Sequence, residues 1–230
     1  MKITSRPLLT PLLLAGALLL LLAGCTALGT EPVAVSHDGL QRVEQDAFDA
    51  VYRKPGLDLS SYQQVQIETC QVSLKSNWLR DQNQRSHELN RRVTDEDVAK
   101  IKSTLAGLCN EIFTEKLTGN SHFQLVSEPG EAVLQLTPSI IDLDIQAPDV
   151  DRLGNTRTYV TSEGSMTLVL EARDAITGEI LGRVVDKHKG HGQGYLTWTN
   201  AAIQKQEAKR LLRSWGDALN RMAEQAWPAP

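Results

Sequence analysis

The residues of this chain whose chemistry could matter are few: three cysteines, five histidines and a short row of aspartates. A thiol can hold a metal, attack as a nucleophile, carry a covalent group or pair with a second thiol, and its surroundings choose among these. Cys70 and Cys109 have neither a helix-start nor a basic setting that would activate a thiolate. His188 and His191 are three apart, a spacing that suits two ligands of one ion, yet no cysteine or third histidine lies nearby to complete a set. Asp142 and Asp144, with Asp149 and Asp151 beyond, lack the glycine-turned loop of known calcium motifs. "GHGQG" at Gly190 to Gly194 fails as a dinucleotide fingerprint, because Tyr195 stands where the third glycine must be. No G-x-S-x-G occurs. These patterns predict no catalytic residue, no metal site and no cofactor. Solvated loop histidines, a wet sheet face of aspartates and an ordinary loop at Gly190 are the plain readings.

Cys25 differs from the other two cysteines. It ends an apolar run from Leu8 to Ala23, which Lys2 and Arg6 precede, and no acid occurs before Glu31. A positive start, a short apolar stretch and small residues before a cut describe a secretory signal. A permanent span needs about 20 apolar residues with anchoring flanks, so this run is marginal as one. Leu22-Ala23-Gly24-Cys25 resembles the lipobox of bacterial lipoproteins. That resemblance implies cleavage between Gly24 and Cys25, a diacylglyceryl group on the Cys25 thiol and an acylated new amine. More than one chain is what stable anchoring requires, at about 0.8 kcal/mol per buried CH₂. The alternative is an ordinary signal peptide that happens to contain a cysteine. Thr26 follows the lipidated residue; in enterobacterial lipoproteins an aspartate there means retention in the inner membrane. The resemblance therefore implies the outer membrane, with the domain facing the periplasm.

The division expected is a signal peptide at 1–24, a lipidated N-terminus and tether at 25–37, and one α+β domain at 38–230. The formal charge of the whole chain is −4, and losing Lys2 and Arg6 with the signal makes the mature chain more acidic. An acidic balance argues against a nucleic-acid surface. The partners expected are the membrane, through the lipid, and an unidentified envelope protein. No feature of the sequence specifies an oligomeric state. With Cys25 lipidated, Cys70 and Cys109 are left in an oxidising compartment, where an even number invites pairing. Cys70 shares strand parity with Val72 and Leu74, and Cys109 borders a buried helical face. A disulfide between them is expected; two buried thiols that never meet are the alternative.

These residues need elements to position them. Val43, Ala47 and Val51 at spacing four predict a short helix within Val43–Tyr52, ended by a type II turn at Pro55-Gly56. "QVQIETCQVSL" reads as a strand whose parity switches near Thr69, and "KSNWLRDQNQRSHELNRR" as a long polar loop. Thr94 and Asp97 form a capping-box start, followed by an apolar stripe from Val98 to Phe113 and a stop at Gly119-Asn120. "FQLVS" is a short strand. "AVLQLTPSIIDLDIQ" is a longer one, in which Pro138 marks an edge or bulge and Ile141, Leu143 and Ile145 alternate with Asp142 and Asp144. A hairpin turns at Gly178, and a last helix runs from about Asn200 to Ala226. Its basic residues Lys205, Lys209, Arg210 and Arg213 read as a solvated face or as a contact for anionic head groups or an acidic partner. Clean alternation in two strands gives the sheet one dry face. The fold class predicted is an α+β two-layer sandwich: a mixed, mainly antiparallel sheet of four to five strands with two long helices on one face.

"YRKPGLDLSSYQQV" (Tyr52 to Val65) and "RDAITGEILG" (Arg173 to Gly182) carry a resemblance. With Trp78 shortly after the first strand, they resemble the Gram-negative lipoprotein family known as domain of unknown function thirty-three thirteen, over residues 38 to 226. The hairpin motif is shared more loosely with curli-secretion and cell-wall-synthase activator lipoproteins. The resemblance implies a fold and an address, with no activity attached. The leading function expected is a non-catalytic, outer-membrane-anchored interaction module of the envelope. Its rivals are an accessory subunit of a secretion or cell-wall-synthesis machine, and an envelope hydrolase using acids such as Asp142, Asp144 and Glu163.

Overall fold

The computed structural model describes residues 34–85, 92–145, 158–160, 164–189, 197–199 and 201–227. The strands are β1 (Gln41–Val43), β2 (Ala50–Arg53), β3 (Gln64–Ile67), β4 (Gln71–Leu74), β5 (Gln124–Val126), β6 (Val133–Asp144), β7 (Thr158–Val160), β8 (Ser165–Asp174), β9 (Ile180–Lys189) and β10 (Thr197–Thr199). The helices are α1 (Trp78–Arg85), α2 (Asp95–Thr118) and α3 (Ala201–Ala226). The class is α+β, as expected, but the main sheet has eight strands rather than four or five. Its order is β1-β2-β9-β8-β6-β3-β5, with β4 also on β6, and β7 and β10 form a separate two-stranded ribbon that the sequence did not suggest. The pairs β3–β5, β3–β6 and β4–β6 are parallel, and the others antiparallel.

Helix α2 forms as its start signal says. The Thr94 hydroxyl accepts from Asp97 N–H while the Asp97 carboxylate accepts from Thr94 N–H. Three acids in the first turn and Lys116 in the last suit the helix dipole. Leu105, Leu108, Ile112 and Phe113 of α2 share one core with Leu212, Trp215 and Leu219 of α3, and with Ile140, Leu168, Leu170 and Val184 of the central strands. The two helices run parallel: Lys116 pairs with Asp217, and Asn120 with Asn220. Gly216 allows the close approach, since a Cβ there would lie 2.8 Å from Lys116 Cγ.

Several expectations are corrected. Val43–Tyr52 is not a helix but the end of β1, a loop and β2. Ala50 and Tyr52 alternate inward onto Leu40, Ile180 and Val185, and a ladder to β9 outweighs three apolar residues at helical spacing. The polar segment after β4 contains α1, held by Trp78, which is buried and donates Nε1–H to Ile145 O at 2.7 Å. In β6 the buried residues are Ile140 and Leu143 rather than Ile141 and Leu143, because Asp142 forms a bulge with φ 51° that shifts the phase.

Pro138 is at no edge: it is buried inside β6, a central strand. One side of β6 is shared by β3, up to Leu136, and by β4, from Ser139. Glu68 N–H still reaches Leu136 O at 2.8 Å. The next parallel ladder bond would require an N–H from residue 138, which proline lacks. So β3 stops, Glu68–Cys70 leave the sheet, and β4 starts afresh. The parity switch read near Thr69 is this break. Within it, Cys70 N–H donates to Asn110 Oδ1 at 2.8 Å, and Cys70 joins Cys109 in a disulfide with Cα atoms 6.2 Å apart. Both cysteines are buried.

Candidate functional site

The two segments that carry the family resemblance lie far apart in sequence and meet in space. Starting from β2, Pro55-Gly56 makes the expected type II turn: Gly56 has φ 70°, and Leu57 N–H donates to Lys54 O at 3.2 Å. Asp58 caps a short 3-10 turn (Leu59–Ser61) by accepting from Ser60 N–H at 2.9 Å, which holds its carboxyl below the ordinary range. Leu59 is buried. In the hairpin, Asp174 Oδ1 accepts from Thr177 N–H at 2.7 Å, from its hydroxyl at 2.9 Å and from Ile176 N–H at 3.1 Å. Gly178 takes the positive φ of 70° that the turn needs.

The segments then lock together. Tyr62 Oη donates to Asp174 Oδ2 at 3.0 Å, Lys54 Nζ pairs with Glu179 at 2.5 Å, and Lys54 N–H donates to Leu181 O at 2.8 Å. Trp227 Nε1–H, just past α3, closes the corner on Tyr62 O at 2.8 Å. Burial and the Asp174 carboxylate push the Tyr62 hydroxyl up to about 12. The Thr177 donors, with Tyr62 behind them, hold Asp174 below the usual carboxylate range. Lys54, Asp58, Tyr62, Asp174, Thr177 and Glu179 of the two motifs each have a partner within this corner.

Beside this corner is a charged cluster on the sheet face opposite the helices. Arg183 of β9 pairs with Glu171 at 2.8 Å and with Asp38 at 2.5 Å, and Arg173 pairs with Glu171 at 2.6 Å. Ser36 donates to Asp38, so Ala34–His37, at the far end of the expected tether, turns back onto the domain. The Ser36 hydroxyl and Arg183 hold Asp38 down at about 2. Burial pushes Glu171 up, but Arg173 and Arg183 outweigh it and the net direction is down. For Arg183 burial acts to lower the pKa, and its two carboxylate partners overcome that. A proton-transfer group works best with a pKa near the operating pH. These groups are driven away from it, which suits a fastening rather than a reaction.

This cluster was not among the residues singled out from the sequence. Its signal was available, since a register counted outward from Thr177 opposes Glu171 to Arg183, as observed. Asp142 is exposed at its bulge, and Asp144 pairs with Lys75 at 2.7 Å. His188 lies in β9, opposite Met166. Lys205, Arg210 and Arg213 are exposed on α3, with Arg210 near Glu207 at 3.9 Å. Gly24, Cys25, Asp149, Asp151, Glu163, His191 and the Gly190–Gly194 loop lie outside the described residues. Among the described residues there is no group of three or more His, Cys, Asp or Glu placed to hold a metal, and no helix long and apolar enough to cross a membrane.

No curated protein matches the chain in sequence. Two solved structures of the PelC dodecamer from Paraburkholderia phytofirmans, one of them a single-substitution variant, are similar at 11–12% identity. They cover 74% of this chain and 95–96% of theirs, with TM-scores of 0.32 and 0.34, values too low to carry an argument about this chain. The family model described as "Protein of unknown function (DUF3313)" matches residues 30–219, a span that includes both motif segments, the disulfide and the charged cluster. The chain belongs to that family.

Proposed function

We propose that this protein is an outer-membrane-anchored periplasmic lipoprotein whose domain is a non-catalytic interaction module of the cell envelope. The observation that carries the reading is the buried Cys70–Cys109 disulfide, a bond suited to an oxidising compartment, in a chain that opens with a lipobox-ended apolar run. The architecture that goes with it is a two-layer sandwich, with α2 and α3 on one face of the sheet. The other face, bearing half-buried Gln135, Thr137, Ser139 and Glu171, is then left for a partner. Of the acids the hydrolase reading rests on, Asp144 is held by Lys75, which weakens its part in that reading.

Two experiments test it. Cys25→Ala should give an uncleaved or soluble protein without label from fatty acid, because no other thiol is placed to accept lipid. Recovery of the variant in the outer membrane with labelled acyl chains overturns the anchor. Cross-linking in intact cells should capture a stoichiometric envelope protein. Turnover of peptidoglycan fragments by the purified chain, with no such partner, overturns the module.

A further inference from the structure

We propose that residues 34–40 form a strap, latched to the sheet by Asp38 on Arg183, and that opening this latch lengthens the reach of the domain from its N-terminal lipid. The lipid belongs to the lipoprotein reading above, on which the reach rests; the latch belongs to the domain. The strap doubles back on itself. Ser36 N–H donates to Leu40 O at 2.9 Å, Gly39 N–H to Ser36 O at 3.0 Å and Leu40 N–H to Ser36 Oγ at 3.1 Å. Arg42 N–H donates to Ala34 O at 2.9 Å, which joins the strap to β1. β2 lies between β1 and β9, yet Asp38, which precedes β1, bonds a side chain of β9. The apex of the strap therefore leans across β2, on the face away from the helices.

Its two fixed points differ in kind. Leu40 is 1% exposed and packs on Ala50, Tyr52, Ile180 and Val185, which makes it a plug that stays with the fold. Asp38 takes Arg183 through both oxygens, Oδ2 from Nη2 at 2.5 Å and Oδ1 from Nη1 at 3.5 Å. Between the two stands Gly39, with φ 81°, where the chain can bend without a side chain in the way.

The latch can open without disturbing what lies beneath it. The Arg183 and Asp38 side chains are 17% and 19% exposed, so water reaches both when they part, and neither is left as a dry, unpaired charge. Glu171 holds Arg183 from the other side at 2.8 Å, and Arg173 holds Glu171, so the guanidinium stays aimed after Asp38 leaves. Ala34, Val35, His37 and Gly39 are exposed, so lifting them uncovers little. Mild acid does not open it, because the Ser36 hydroxyl and Arg183 hold Asp38 down at about 2. Salt, a competing carboxylate or a pull along the tether does. With the latch closed, residues 26–33 span at most about 28 Å. With it open the pivot moves to Gly39, and residues 26–38 span at most about 45 Å.

The test uses the full acylated chain on a supported phosphatidylcholine bilayer, with the mass of its N-terminal peptide checked first. An unacylated chain sinks the lipoprotein reading and the reach with it, whatever the latch does. Amide exchange followed by mass spectrometry reads the latch. Asp38→Asn should speed exchange at 36–42 about ten-fold, the factor that one hydrogen bond to a charged group supplies, and leave β8 as it was. Asp38→Glu, which keeps the charge, should stay nearer the wild type. High salt should speed exchange at 36–42 in the wild type and change Asp38→Asn little. Neutron reflectivity then reads the gap between bilayer and protein, which Asp38→Asn should widen by up to about 17 Å. Unchanged exchange at 36–42 overturns the latch. Exchange that rises equally in β8 makes Asp38 a prop of the whole fold and also overturns it. Faster exchange at 36–42 with an unchanged gap shows a strap that opens without setting the reach, and overturns the proposal.

Discussion

The two faces of the sheet are held by different physics. On the helical face, Leu108, Ile112, Leu168 and Leu212 pack around the Cys70–Cys109 bridge, and direction matters little so long as the volume is filled. On the opposite face and at its corner, Arg183, Glu171, Asp38, Tyr62 and Asp174 are joined by bonds whose direction is the whole of their effect. The first region supplies stability. The second has a smaller apolar cluster, of Leu40, Ala50 and Tyr52, and fixes which segment lies beside which. Tyr62 and Asp174, which join the two segments that carry the family resemblance, are of the second kind.

That contrast can be broken by substitution, and the largest effect should come from the bridge. Replacing Cys70 and Cys109 together by alanine should cost about 4 kcal/mol, the chain-entropy value for a closed loop of this length. Denaturant titration measures it, and a loss near zero would mean that the helix–sheet junction is held without its staple. Leu108→Ala should cost about 3 kcal/mol through the cavity it leaves. A neutral midpoint shift would show the stripe of α2 facing a partner or solvent. Tyr62→Phe removes one partly buried hydrogen bond and should cost about 1 kcal/mol. The folded-state pKa of Tyr62 lies near 12, above the ordinary 10. Its protonated form therefore contributes stability in full below pH 10, and the contribution is lost as pH rises towards 12. The wild-type stability curve should fall more steeply than that of Tyr62→Phe across this window; parallel curves would remove Tyr62 from the fastening. The smallest effect is expected at Asp142→Gly, within about 0.5 kcal/mol, because the site is exposed and its positive φ suits glycine. Unfolding by this change would show that the bulge bears on the core.

Where a local rule and the tertiary environment agreed, the sequence was legible. Helix α2 had a capping box, a stripe and a stop, and the hairpin had alternation with a glycine turn. The pairing of Cys70 and Cys109 was expected from strand parity and helix phase; the bridge forms, but Cys70 reaches it from the break between β3 and β4 rather than from a strand. Failures came where long-range pairing ruled. Three apolar residues at spacing four were too few to make Val43–Tyr52 a helix against a ladder to a strand more than a hundred residues away. Helix α1 is polar enough to read as a loop, and one indole settles its place. The motif corner was visible as two patterns, but their meeting depends on strand order, which no local rule supplies.

The ends of the sheet are β1 and β5, three residues each, and β4, with four, lines the remaining flank of β6. Long flat edges act as templates on which further chains can grow. Edges this brief offer an incoming strand only a few hydrogen bonds before the template runs out. The domain is thereby protected, along these edges, against zipping onto its neighbours backbone to backbone. An assembly along these short edges would have few backbone bonds to use, which leaves side chains to choose the companion.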